Sequence, residues 1–150
     1  MNDSFHIVCP HCHTTNRVNG ADLARAPDCG KCHQALFTAH STALDEAGFD
    51  RHIMRNDIPV LVDFWAPWCG PCRQMAPGFE QAAARLEPRV RLVKVDTEAH
   101  QALGARFNIR SIPTLALFTG GREVARQAGA MGAAEIVRWT EAQLPLTRPR

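Results

Sequence analysis

From residue 45 onward the chain alternates between runs of apolar residues and stretches of helical periodicity. Residues 45–56 read as a helix with Ala47, Phe49 and Ile53 as inward candidates. Residues 59–64 form an apolar run broken only by Asp63, the pattern of a parallel strand buried on both faces. A long helix is expected over residues 69–86, and Pro77 inside it removes a backbone donor and should kink it. A β-branched strand over residues 90–95, a short helix over 100–107 and a third strand over Thr114–Thr119 come next. Gly120-Gly121 is a hairpin-type turn into residues 123–128, and residues 133–144 form a closing helix. Strands that alternate with helices and end in a hairpin predict an α/β fold, a mixed central sheet with helices on both faces. Residues 38–44 read as a connector or weak first strand, and residues 145–150 as a disordered end.

The pattern is different before residue 38. Residues 1–37 hold four cysteines and four of the seven histidines (His6, His11, His13, His33), with few large apolar side chains. A segment under about 40 residues cannot normally hold a fold by core burial alone. Cys9-Pro10-His11-Cys12 and Cys29-Gly30-Lys31-Cys32 are two C-x₂-C turns separated by sixteen residues, a spacing within the structural zinc range. Each turn presents two thiolates, and two turns complete a tetrahedron with no position left for an activated water. Local or crossed disulfides are the alternative, and His11, His13 or His33 in place of one sulfur is another. The expected organisation is a small zinc-ribbon-like domain over 1–37 with one structural zinc on Cys9, Cys12, Cys29 and Cys32. A catalytic domain over 38–145 and a tail over 146–150 complete it.

Charge and composition narrow the function. The formal net charge is +2, and Arg17, Arg25 and Lys31 balance Asp3, Asp22 and Asp28 in the N-terminal segment. Neither nucleic acid nor an anionic membrane is an expected partner, since both demand a basic patch. No apolar stretch approaches the ~20 residues of a membrane span. The first residues lack the basic start of a secretory signal, so the expectation is a cytoplasmic monomer. In a reducing compartment six cysteines are metal ligands or redox catalysts rather than structural staples.

The third pair, Cys69-Gly70-Pro71-Cys72, follows a strand and opens a helix. Unpaired N–H groups and the helix dipole at that position favour a thiolate, the species that attacks disulfides. Cys69, nearer the helix start, is the expected nucleophile. Cys72 is the resolving thiol that breaks the mixed disulfide. Gly70 leaves space beside the attacking sulfur, and Pro71 suits a first helical turn. A third zinc knuckle is the alternative, but it lacks a second pair. Asp63, a carboxyl inside an apolar strand, should have a raised pKa and could accept the proton of Cys72. Lys94 in the neighbouring strand could pair with it, or face solvent.

These residues carry a family resemblance. Trp68-Cys69-Gly70-Pro71-Cys72 with Asp63-Phe64-Trp65-Ala66 before it resembles the thioredoxin active-site signature. Arg110-Ser111-Ile112-Pro113-Thr114 resembles that family's cis-proline loop, and Gly120-Gly121 and Gly129 fall where its later glycines do. The preceding cysteine-rich segment resembles the bacterial thioredoxin 2 type, which carries an N-terminal zinc domain. The resemblance implies a thioredoxin fold, a cis Pro113 beside the dithiol, and Asp63 as buried proton acceptor near Lys94. It also implies a shallow groove formed by Trp68, Ile112, Pro113 and Gly129 against Gly70 and Pro71. The activity implied is reduction of protein disulfides, with electrons from an NADPH-dependent thioredoxin reductase and no nicotinamide or flavin bound by this chain. Ser111 and Pro67 depart from the commonest pattern, both at the docking surface. A competing reading is a zinc- or redox-responsive regulator or holdase that uses the four N-terminal thiols.

Overall fold

The computed structural model describes residues 3–147. Five strands form a mixed sheet in the order β3-β5-β4-β6-β7: β3 Thr42–Ala43, β4 Val60–Trp65, β5 Arg91–Asp96, β6 Thr114–Thr119 and β7 Arg122–Ala128. β5 runs parallel to both β3 and β4, whereas β6 is antiparallel to β4 and β7. Helices α1 (Glu46–Arg55), α2 (Gly70–Leu86), α3 (Gln101–Arg106) and α4 (Ala133–Gln143) cover the two faces. The mixed sheet with flanking helices expected from the periodicity is thus present.

The two-residue alternation of β4 assigns its side chains to opposite cores. Leu61 packs with Met75, Phe79, Ala83, Ile136 and Val137 under α2 and α4. Val60, Val62 and Phe64 pack with Phe49, Ile53 and Leu103 under α1 and α3. Phe107, with centroids 5.4 Å from Phe49 and 5.1 Å from Phe118, ties that second core together. Ala47 is exposed although the periodicity placed it inward; Gly48 takes the buried position, its ideal Cβ site only 3.2 Å from Leu44 and Asp45 atoms. Asp45 is the N-cap of α1 and accepts from the Gly48 N–H at 2.8 Å. α2 runs unbroken through Pro77.

Residues before β3 form a second, smaller unit. β1 (Ser4–Val8) and β2 (Thr15–Asn19) make an antiparallel hairpin that polar alternation in so short a segment did not reveal. Its core comprises Ile7, Cys9, Val18, Cys29 and Leu36, together with Ile58 from the far side of α1. At the other end of the chain, Leu144–Thr147 forms a 3-10 turn where a disordered tail was expected. The remainder of that expectation, residues 148–150, lies outside the described residues.

Candidate redox site and metal cluster

β4 ends at Trp65, and a tight turn leads to Cys69, the N-cap of α2. The Cys72 N–H points at Cys69 Sγ at 3.2 Å, so the sulfur takes the place of the oxygen of an ordinary cap. Pro71 falls in the first turn, where a missing N–H costs nothing. Cys69 and Cys72 are joined as a disulfide, with Cα atoms 5.3 Å apart. Both are nearly buried, in a small cluster with Ala66, Trp65 and Ile112. Trp68 beside them is 68% exposed, a large indole left on the surface next to the reactive pair.

The loop before β6 faces this pair. The Ile112–Pro113 peptide is cis. The Ile112 carbonyl lies 3.8 Å from Cys69 Sγ. Thr114 Oγ1 donates to the Ser111 carbonyl at 2.6 Å and the Gly129 N–H donates to the Pro113 carbonyl at 2.9 Å, which fixes the loop to β6 and to the end of β7. Gly129 has φ of 100°, a conformation open to glycine and strained for other residues.

Asp63 shares a sheet face with Leu61, the face that α2 covers. It is 1% exposed, and neither carboxylate oxygen has a hydrogen-bond partner among the described residues. Burial pushes its pKa up to about 7 from 3.8; Lys94 opposes the rise and Glu80 adds to it. Lys94 is the in-register neighbour of Asp63 on β5, with its ammonium 4.4 Å from the centre of the Trp65 ring. Such a carboxyl can take up or give back a proton near neutral pH.

The other four cysteines converge in the small unit. Their sulfurs all lie within 4.8 Å of one another. Across the two turns, Cys9 and Cys32 approach at 3.6 Å, as do Cys12 and Cys29. Four sulfurs at ~2.3 Å from a tetrahedral zinc would be separated by about 3.8 Å. The spacing fits that ion and is far beyond a disulfide, and all four thiols are free. The His11 and Lys31 N–H groups point back at Cys9 and Cys29 sulfur, at 3.3 and 3.4 Å. Burial pushes the Cys9 thiol up to about 12, whereas the Cys32 N–H draws Cys29 down to about 5. None of the histidines weighed as substitutes joins the cluster: His11 contacts the Ala35 carbonyl at 3.1 Å and His13 contacts His52 at 3.2 Å.

Sequence reading missed the residues that hold this cluster against the sheet. Arg91 at the start of β5 is 0% exposed, and its guanidinium donates to the Val8 and Leu36 carbonyls at 3.1 and 2.7 Å. It pairs with Glu87 at 3.0 Å and stacks 4.8 Å from the Phe37 ring centre. Asn56 Oδ1 accepts from the Val8 N–H at 2.8 Å, and His6 and Asp57 exchange two further bonds. The available signal was Glu87 four residues before an arginine at the start of a β-branched strand.

A paired cysteine at a helix terminus, with a titratable buried carboxyl behind it and an open backbone loop before it, can exchange a disulfide for a dithiol. The fold and the site therefore define a thiol–disulfide oxidoreductase. Residues 40–142 match the thioredoxin family, and residues 8–34 match the zinc ribbon described as thioredoxin 2, N-terminal. The chain belongs to the thioredoxin family. It is 49% identical over 138 residues to thioredoxin C-3 of Corynebacterium nephridii, covering 92% of this chain and 94% of that one. Thioredoxin of Haemophilus influenzae is 41% identical over 96 residues, 64% of this chain and 90% of that one. Among solved structures, a single-substitution mutant of thioredoxin from Halobacterium salinarum superposes with a TM-score of 0.64 at 28% identity, covering 76% of this chain and 96% of that one. No helix among the described residues is long and apolar enough to cross a membrane.

Proposed function

We propose that the protein reduces disulfides in other proteins through Cys69 and Cys72 and is returned to the dithiol by a thioredoxin reductase. In the dithiol form the Cys69 thiolate attacks one sulfur of the substrate disulfide. A mixed disulfide forms and the other substrate sulfur leaves as a thiolate. The Cys72 thiol gives its proton to Asp63 and attacks Cys69 Sγ. The Cys69–Cys72 bond forms, and the second substrate sulfur departs. Two electrons pass to the substrate, and its two sulfurs, released as thiolates, take their protons from solvent to end as thiols. Lys94 tunes Asp63 by its charge, while Trp68, Gly70, Pro71, Ile112, Pro113 and Gly129 form the groove for an extended substrate strand. The observation that carries this reading is Cys69 as N-cap sulfur of α2 against the Ile112 carbonyl, with Asp63 on the α2 face of the sheet lacking a hydrogen-bond partner among the described residues.

The same reading divides the chain into a zinc-binding domain (1–37), a catalytic domain (38–145) and a tail (146–150). Cys9, Cys12, Cys29 and Cys32 hold one structural zinc. The catalytic chain needs no bound NADPH or flavin, acts as a monomer and works in the cytoplasm. Insulin-disulfide reduction driven by dithiothreitol or by thioredoxin reductase tests it. Cys69→Ser should abolish turnover, and Cys72→Ser should accumulate mixed disulfides with substrate. Undiminished turnover in Cys69→Ser would refute the assignment.

A further inference from the structure

The contact between the cysteine cluster and the five-stranded sheet is built around one buried charge. Arg91 belongs to β5, yet two of its hydrogen bonds reach backbone carbonyls of the small unit, at Val8 and Leu36. Val8 directly precedes Cys9, and its own N–H is held by Asn56, so both backbone polar groups of that residue are bonded across the interface. Leu36 packs in the same core as Cys9 and Cys29. The guanidinium is fully buried, and its only carboxylate partner among the described residues is Glu87, whose side chain is 4% exposed and also accepts from the Ala39 N–H at 2.8 Å. A buried arginine with these partners is costly to strand: take away the two carbonyls and a desolvated cation is left with one carboxylate.

The chemistry of the cluster gives that cation a second purpose. Four thiolates around one divalent ion carry a net charge of −2, and burying such a complex favours a nearby positive charge. Arg91 feels the Cys9 sulfur electrostatically in addition to its bond to the preceding carbonyl. Among the described residues Arg91 is the only lysine or arginine that is buried; His52, buried beside His13 at the same interface, is kept neutral because burial draws its pKa down to about 3.

We propose that Arg91 is the counter-charge and clamp of the metal centre, a positioning residue in the sheet domain that links metal binding at Cys9, Cys12, Cys29 and Cys32 to the stability of the five-stranded sheet. The proposal rests on the reading that those thiolates hold zinc. Linkage then requires reciprocity: the factor by which the folded sheet domain tightens metal binding is the factor by which bound metal stabilises that domain, and Arg91 carries that coupling.

The test uses the full chain, with zinc per chain quantified first. Amide hydrogen exchange in β4 and β6, which report opening of the sheet, is followed in the zinc-loaded and chelator-stripped protein. Zinc affinity is measured by competition with a chromophoric chelator. Stripping should accelerate the slowest β4 and β6 amides at least about tenfold, the equivalent of one lost charge-assisted hydrogen bond. The pair Arg91→Met with Glu87→Gln keeps the interior neutral; it should bind zinc at least about tenfold more weakly and lose most of the exchange response. Arg91→Lys, which retains the charge without the two-carbonyl span, should fall between. If wild-type amides exchange at the same rate with and without zinc, the coupling is overturned, whatever the variants do. A neutral pair that binds zinc as tightly as wild type also overturns it. Wild-type protein that holds no zinc would instead overturn the metal reading, and this proposal with it.

Discussion

Replacing Asp63 by asparagine should stabilise the protein in a pH-dependent way. Asp63 is 1% exposed, has no hydrogen-bond partner for either oxygen among the described residues, and titrates near pH 7 instead of 3.8 because burial disfavours its charge. Its folded pKa is therefore raised above its unfolded value. As pH climbs between those two values the unfolded chain ionises while the native carboxyl stays protonated, and native stability falls; above the folded pKa the loss is complete. At about 1.4 kcal/mol per pKa unit the full loss is about 4 kcal/mol. The asparagine amide cannot ionise, and whatever its own burial costs is independent of pH. The stability difference between Asp63→Asn and wild type should hence grow by about 4 kcal/mol from pH ~4 to pH ~8. Urea unfolding of the oxidised proteins, with both transitions followed by tryptophan fluorescence across that range, reads it directly. Parallel pH profiles for the two proteins would refute the desolvated-carboxyl argument. In the same variant insulin reduction should slow, since the proton acceptor for Cys72 is gone. A stabilised yet slower protein would be the expected signature of a group retained for chemistry.

His52 should give the opposite pH dependence. It is fully buried between His13 and Asn56, and burial draws its pKa down to about 3 from 6.5, so stability drains away as pH falls below 6.5. His52→Gln should lose about 2 kcal/mol less than wild type between pH ~7 and ~5, by urea unfolding; superimposable profiles would count against it. For the rival regulator reading, a peroxide titration with parallel zinc and free-thiol assays is decisive. Zinc should stay bound at doses that oxidise Cys69 and Cys72, whereas release at those doses with a gain of holdase activity would favour sensing through the four N-terminal thiols.

Legibility in the sequence followed the range of the interactions involved. Strands β4 and β6 and helices α1, α2 and α4 could be read because each keeps one period over most of its length and ends at a visible cap, turn or glycine pair. The dithiol and the metal quartet were legible because their spacing encodes local geometry: two residues between sulfurs set one turn, wherever that turn sits. Asp63 stood out as one charge in an apolar run. The hairpin of β1 and β2 was not legible, because Ser4–Val8 and Thr15–Asn19 bury only a few side chains in a unit too small to show alternation. Arg91 was hidden for a stronger reason. Its partners lie 83 and 55 residues away, and nothing local says that a strand-end arginine is buried against another unit's carbonyls.

The chain uses C-x₂-C three times, and what separates the uses is the environment of the pair. In each, an N–H two or three residues on points back at the first sulfur: His11 to Cys9, Lys31 to Cys29, Cys72 to Cys69. That local turn stabilises a thiolate and does not distinguish metal ligation from redox exchange. The distinction comes from what faces the turn. Cys9-Cys12 meets Cys29-Cys32 at 3.6 Å, so each pair finds two further sulfurs, an arrangement that fits a shared cation. Cys69-Cys72 meets the Ile112–Pro113 backbone and the exposed Trp68 instead, with no second pair within reach among the described residues. A thiolate there has no metal-forming partners, only its own neighbour and whatever disulfide docks on the loop. Exchange is the chemistry left to it. The tertiary fold places a second knuckle beside one pair and the Ile112–Pro113 loop with the exposed Trp68 beside the other, which suits the first turn to a staple and the second to a catalyst.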